Sequence, residues 1–322
     1  MGFLDSAYYI GGPVGNAIVG PLLDAGGYVA AFSTSIAIYF FSILYVFLKV
    51  HPIPQEDREQ METKSVCDVE RLSEAVRVTI KPRPDRATVH ILLLILAMLF
   101  DSLPVSGEGT VKYLFTQLAL DWTHTEYSHW STFASVLSAL SLIVIVPLMT
   151  VVLKVPDGWM GVVGGLSRTA SNVFYGFVNN PWDEWLIWAG MYGQLLNILP
   201  KTKNMTSFFV HDVSLLCMTG AGVASLKNLA PVAIRSMLSK LAGPQDVGKV
   251  YAVMATSESL IGFASAPMYT AVYAATNDYR PGTYNFLSAG INSLLALTLL
   301  GVTLSLRQIK ARQSASTAIP IE

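Results

Sequence analysis

The sequence predicts an all-α, polytopic membrane protein. Three observations carry that prediction: a shortage of charge, a series of helix-length apolar runs, and the segregation of basic residues to alternate loops. Of 322 residues, 52% belong to the apolar set A, V, I, L, M, F, W, Y and C, and 13% are Asp, Glu, Lys or Arg. That charge content is about half the roughly 25% of a soluble domain. The composition excludes a disordered chain, a nucleic-acid-binding domain and most cytosolic enzymes, and a net charge of −1 points to no anionic partner. The partner it implies is the lipid bilayer. Cys67 and Cys217 make no disulfide scaffold, and no CxxC or Cys/His cluster suggests a metal site, so neither metal nor cofactor is expected. The amino terminus lacks a basic n-region, and Asp5 sits where an apolar h-region would lie, so no cleavable signal peptide is read there.

A crossing helix needs about 20 mostly apolar residues, because hydrocarbon offers no partner to exposed backbone N–H and C=O groups. In chain order the spans are Phe3–Leu23, Tyr28–Val50, Val89–Gly107, Ser128–Leu153, Gly158–Val178, Lys249–Ala275 and Tyr284–Leu306. Between Trp182 and Ile234 two hydrophobic pieces compete, Trp185–Leu199 and Phe208–Leu226.

Basic residues set the orientation. The segment from Lys49 to Arg86 holds eight of the 21 (Lys49, Arg58, Lys64, Arg71, Arg77, Lys81, Arg83 and Arg86), which makes the linker His51–Thr88 cytoplasmic. Counting alternately, Lys154 and the tail residues Arg307, Lys310 and Arg312 fall on the same side, while Asp24, Asp121, Glu126, Asp183, Glu184 and Asp278 fall opposite. Keeping Arg235, Lys240 and Lys249 inside requires one net crossing between Trp182 and Arg235. The total is then eight spans, two before the linker and six after it, with one surplus apolar piece. The expected organisation is residues 1–50 as a helix pair, 51–88 as linker, 89–306 as a six-helix bundle and 307–322 as a cytoplasmic tail. Within the linker, Asp68–Arg77 reads as a short amphipathic helix.

Three stretches carry a family resemblance. LDSAYYIGGPVGNAIVGPLLDAGGY (Leu4 to Tyr28), AIRSMLSKLAGPQDVG (Ala233 to Gly248) and the following YAVMATSESLIGFASAPMYTAVYAAT resemble, in order and spacing, the proton-coupled folate transporter family, which includes the haem carrier and thymic stromal cotransporter proteins. The resemblance implies a major facilitator fold whose first four helices are missing, with these stretches in its fifth, tenth and eleventh helices. It implies a secondary active transporter of a folate-like or other organic anion, coupled to protons, and no enzyme. The segment Tyr192–Thr219 has no counterpart in that pattern, and joining Met191 to Gly220 restores one ordinary tenth helix. The second reading is a non-transporting fragment or gene-model artefact of such a carrier. The plasma membrane is expected in preference to the lysosome. No HExxH or GxSxG motif supports an intramembrane enzyme.

Ionisable groups inside a span cost about 2.5–3.5 kcal/mol each on insertion scales, which makes each one a functional candidate. Glu258, ten residues into the Lys249–Ala275 span between Ser257 and Ser259, reads as a proton or substrate site or as an interhelical packing carboxyl. Asp101 interrupts the Val89–Gly107 run ahead of Pro104, Gly107 and Gly109, a pattern that reads as a broken helix lining a cavity or as a simple kink. Glu108 and Lys112 stand one turn apart and are placed for an i,i+4 pair. Arg168 lies mid-span, as partner to an intramembrane acid or as a snorkelling residue. Arg235 matches a family arginine implicated in substrate and proton handling; its bland reading is a positive-inside anchor beside Lys240. Asp5 matches a family carboxylate tied to proton coupling, and the resemblance puts Val105, which cannot titrate, where the family has a functional histidine. Gly161/Gly165 and Gly11/Gly15 are small-xxx-small pairs suited to close helix packing. Trp182, Trp185 and Trp188 read as an interfacial belt, and Asn204-Met-Thr206 fits a glycosylation sequon.

Overall fold

The computed structural model describes residues 2–49, 69–178 and 226–317. Every regular element among them is helical: α1 (Gly2–Lys49), α2 (Val69–Ile80), α3 (Ala87–Leu120), α4 (His124–Pro147), α5 (Asp157–Gly176), α6 (Leu229–Ala242), α7 (Val247–Thr276) and α8 (Thr283–Thr317). Short 3-10 turns at Pro84–Arg86 and Leu226–Asn228 lead into α3 and α6, and a π turn at Leu148–Val152 follows α4. Residues 51–68, Tyr192–Thr219, both cysteines, Trp182, Trp185, Trp188 and Asn204 lie outside the described residues, as does the side chain of Asp5.

Three helical stretches among the described residues are long and apolar enough to cross a membrane: Gly11–Lys49, Pro84–Leu120 and Thr283–Ser314. The first joins two predicted spans. As one straight rod, the 48 residues of α1 would extend roughly 72 Å, over twice the hydrocarbon thickness. The helix instead breaks at Gly27, whose φ of 62° and ψ of −163° leave the helical region. Only glycine adopts that combination without steric cost. The predicted boundary between Leu23 and Tyr28 is therefore a single-residue break with no loop, because Asp24, Ala25 and Gly26 keep helical hydrogen bonding.

Two further expectations change. α3 runs unbroken from Ala87 to Leu120 through Pro104 and Gly107, so of the two readings, broken helix or simple kink, the broken helix does not form. Helical bonding on either side holds the missing proline N–H within one long element. α8 continues to Thr317, so Arg307, Lys310 and Arg312 extend a helix into the region expected as tail. The amphipathic linker helix is present as α2, Val69–Ile80.

The chain divides into two compact units, one of Met1–Glu74 with Thr123–Val136, the other of Ala75–Trp122 with Leu137–Glu322. In the first unit, α1 and the start of α4 run antiparallel. Asn16 Nδ2 donates to Ser135 Oγ at 2.9 Å, Gly20 N donates to Ser128 Oγ at 3.2 Å, Thr125 Oγ1 donates to Asp24, and the Tyr28 ring meets His124 edge-on at 6.3 Å. Gly20 permits the approach, since a Cβ there would lie 2.5 Å from Ser128 Cβ. Among the described residues, nothing lies within 4 Å of a Cβ built on Gly11 or Gly15, while Gly20 makes a close contact. Thr123 begins α4 with a capping box: its N–H donates to Glu126 Oε2 at 2.8 Å, and Glu126 N donates back to Thr123 Oγ1 at 3.3 Å. The Thr123 N–H and the Thr123 hydroxyl both donate to the Glu126 carboxylate and hold it below the usual glutamate range.

In the second unit, α3 packs on α6, α7 and α8, and α5 packs on α6 and α8. The shared core includes Ile91, Leu94 and Met98 of α3, Val162 of α5, Ile234 and Leu238 of α6, Met254 of α7 and Leu295 and Leu299 of α8. Glycines on α5 set the helix spacing. A Cβ on Gly164 would stand 2.5 Å from the backbone nitrogen of Ala230, one on Gly165 would stand 3.2 Å from Ala296, and one on Gly161 would stand 3.1 Å from Leu299 Cδ1. The predicted Gly161/Gly165 pair is thus a packing surface against α8.

Candidate functional site

The polar positions of α3 fall on one face of the helix. Asp101, Glu108 and Lys112 are seven and four residues apart, so each lies about two turns and then one turn beyond the last. Arg168, Asn172 and Tyr175 repeat at four and three on α5, making a matching stripe. Among the described residues, α3 and α5 each pack on α6 and α8, and the two stripes meet through side chains.

Three rungs link them. At the first, Arg168 Nη1 stands 3.0 Å from Asp101 Oδ1 and donates to the Asp101 main-chain oxygen at 3.2 Å. The Asp101 and Arg168 side chains retain only 6% and 11% of their exposure. Pro104 removes the N–H that the Phe100 carbonyl would bind, one residue before the Asp101 carbonyl that accepts from the guanidinium. At the second rung, Asn172 Nδ2 donates to Glu108 Oε1 at 2.9 Å. At the third, Lys112 Nζ lies 6.0 Å above the Tyr175 ring. Lys112 also stays within electrostatic reach of Glu108, as the i,i+4 spacing expects.

α7 and α6 complete the cluster. Ser102, next to Asp101, donates to Glu258 Oε1 at 3.3 Å. The serines that flank Glu258 turn to their own helix: Ser257 donates to the Val253 carbonyl and Ser259 to the Ala255 carbonyl. Arg235 is close enough to act electrostatically on both Asp101 and Glu258, and its own carbonyl accepts a hydrogen bond from Tyr251 OH at 2.7 Å. Lys240 pairs with Asp157, which also accepts from Ser236 at 2.6 Å.

The structure therefore brings together five of the six sequence candidates: Asp101, Glu108, Arg168, Arg235 and Glu258. The sixth, Asp5, has its side chain outside the described residues. Val105, where the resemblance expects a histidine, is 54% exposed and points away from the buried face. With Lys112 the cluster holds three carboxylates and three cations, each with an opposite charge within electrostatic reach. Sequence reasoning missed Ser102, Asn172 and Tyr175. The 168/172/175 spacing was the available signal for the latter two, but neutral polar residues cost too little in a helix to draw notice beside charged ones. Among the described residues, no group of three or more His, Cys, Asp and Glu is placed to hold a metal ion.

Comparison with known proteins follows the same direction. No family model matches the chain. Over 301 residues, 92% of the chain, it is 21% identical to the "Probable peptidoglycan muropeptide transporter SLC46" of Drosophila melanogaster and covers 51% of that protein. It is 39% identical over 114 residues, 35% of the chain and 22% of the relative, to the lysosomal proton-coupled steroid conjugate and bile acid symporter of Rattus norvegicus. It is 29% identical over 115 residues, 36% of the chain and 24% of the relative, to the proton-coupled folate transporter of the same species. The chain spans about half the length of the fly relative. All three names describe transporters, and the similarity is to membrane carriers and to no enzyme.

Proposed function

We propose that the chain works in secondary active transport of an organic anion, coupled to protons, by alternating access around the buried cluster of Asp101, Glu258, Arg168 and Arg235. One observation carries the reading: three carboxylates and three cations face one another on helices that share an apolar core. A buried ion pair adds little net stability over well-packed apolar residues, so stability alone is a poor reason to keep one. In a carrier the same groups have work to do. A guanidinium receives a carboxylate through two parallel hydrogen bonds, and a carboxyl that gains a proton on one face and loses it on the other couples that movement to a gradient.

In this reading the bundle is that of the major facilitator superfamily, with eight spans, a cytoplasmic linker at 51–88 and a cytoplasmic carboxy terminus. Residues 1–50 act as two helices of one bundle and 89–306 as the other. The relatives' named solutes, a muropeptide, a folate and steroid conjugates with bile acids, are organic acids or conjugates, which suits a site rich in arginine. The membrane in this reading is the plasma membrane, with the lysosomal one, where the rat symporter's name places that relative, as the alternative.

The test is uptake of labelled folate, cholate and muramyl dipeptide into proteoliposomes under an imposed proton gradient. Glu258→Gln is expected to abolish the gradient dependence while solute binding persists. Uptake whose proton dependence is the same in Glu258→Gln and the unaltered protein removes Glu258 from the coupling mechanism.

A further inference from the structure

We infer that Arg168 is the anchor for a carboxylate of the transported solute and that Asp101 occupies its place while the site is empty. This rests on the organic-anion reading above and assigns the contact within it.

The geometry of the pair is incomplete in a specific way. A guanidinium offers its donors as a fork, and a strong arginine–carboxylate pair uses two parallel N–H···O bonds. Here the Asp101 carboxylate meets the fork at Nη1, and no aligned hydrogen bond joins the two side chains. Its Oδ1 lies 3.0 Å away, yet the N–H is not aimed at it, and Oδ1 counts among the buried oxygens with no hydrogen bond. The aligned bond goes to the main-chain oxygen of Asp101. Arg168 Nε is likewise buried and has no hydrogen-bond partner. A buried donor and a buried acceptor thus remain unsatisfied side by side, a state that costs free energy and that native interiors rarely keep.

The reason is reach. Asp101 has a short side chain fixed on α3, and that arm brings its carboxylate to one nitrogen of the fork. A mobile carboxylate has no such tether and can engage Nε and an Nη nitrogen together, supplying the bond that Asp101 leaves unmade. Displaced Asp101 does not become an isolated charge, because Arg235 stands within electrostatic reach of it. Asp101 is therefore a weak internal competitor: it keeps Arg168 compensated without solute and yields to a better-shaped anion. The arrangement selects for a carboxylate and against its uncharged ester.

The experiment measures thermal unfolding of the purified full chain in detergent, titrated with folic acid, cholic acid or muramyl dipeptide and, separately, with the methyl ester of each. In the unaltered protein at least one acid is expected to raise Tm and its ester to leave it unchanged. Asp101→Asn, with the competitor neutralised, is expected to melt lower when empty and to bind the same acid about tenfold more tightly. Arg168→Gln made in the Asp101→Asn chain removes the cation without stranding its partner and is expected to lose the difference between acid and ester. If Asp101→Asn yields no folded protein, Asp101→Glu supplies the reading: its longer arm competes harder and weakens acid binding. Acid binding by Asp101→Asn no tighter than in the unaltered protein, or discrimination retained when Arg168→Gln is added to it, overturns the assignment of Arg168 and leaves the transport reading standing. No acid binding to the unaltered protein overturns both.

Discussion

The two compact units join their helices by different chemistry. In the first, α1 meets the start of α4 through Asn16–Ser135, Gly20–Ser128 and an edge-on Tyr28–His124 contact, and Asp24 is its sole described charge between residues 11 and 48. In the second, α3, α5, α6 and α7 converge on six ionisable side chains. Small and neutral groups let two helices approach with little desolvation, so they serve association and tolerate loss. Buried charge constrains its surroundings far more, because removing one member leaves another without compensation.

The strongest attack on that contrast is Arg168→Met. It strands Asp101, 6% exposed, in an apolar setting. The expected loss is about 3–5 kcal/mol of stability, and adding Asp101→Leu to the same chain is expected to recover most of it. Unfolding curves in detergent for the single and double variants check this, and equal stability of the two would deny that the pair acts as a unit. Next in size is Asn16→Leu, which deletes the neutral contact to Ser135; hydrogen bonds of that kind between membrane helices are worth about 0.6 kcal/mol. A loss as large as that of Arg168→Met would erase the distinction between the units.

The smallest effect belongs to the exposed capping box. Because the folded state holds the Glu126 carboxyl below its ordinary range, its contribution is present above the usual glutamate pKa, about 4.3, and is lost as pH falls through the lower folded value. Tm recorded across that acid range is expected to decline more in the unaltered protein than in Glu126→Gln. Parallel declines would show that the cap carries no charge-dependent stability.

The difference between the units also explains which features were legible beforehand. Helix-length apolar runs announced α1, α3 and α8, since each carries its membrane compatibility in its own composition. Asp101, Glu108, Arg168, Arg235 and Glu258 stood out one by one, since a charge in such a run is conspicuous without a neighbour. Their convergence was not legible, because it depends on how α3, α5, α6 and α7 rotate about their axes. Ser102 shows the limit well. In sequence it is one polar residue among many, while Ser257 and Ser259 look like the natural companions of Glu258. Packing reversed those roles, turning the flanking serines to their own helix and supplying Ser102 from α3.

Glycine tells the same story. Gly11/Gly15 and Gly161/Gly165 share one spacing, yet among the described residues only the second pair meets neighbouring side chains or backbone. Local periodicity puts small residues on a common face, and whether another helix occupies that face is a property of the assembled bundle.

What the sequence determined by itself was the solvent: a low charge content and long apolar runs require lipid, and backbone hydrogen bonding in lipid requires helices. It also determined which side chains are too costly to be incidental. Tertiary structure alone decided that five of these meet in one cluster and that Asp101 and Arg168 pair while Oδ1 and Nε lack hydrogen bonds. Those facts turn on helix rotation and on ångström-scale reach. Neither is encoded in the spacing of residues along one helix, because both are relations between elements distant in the chain.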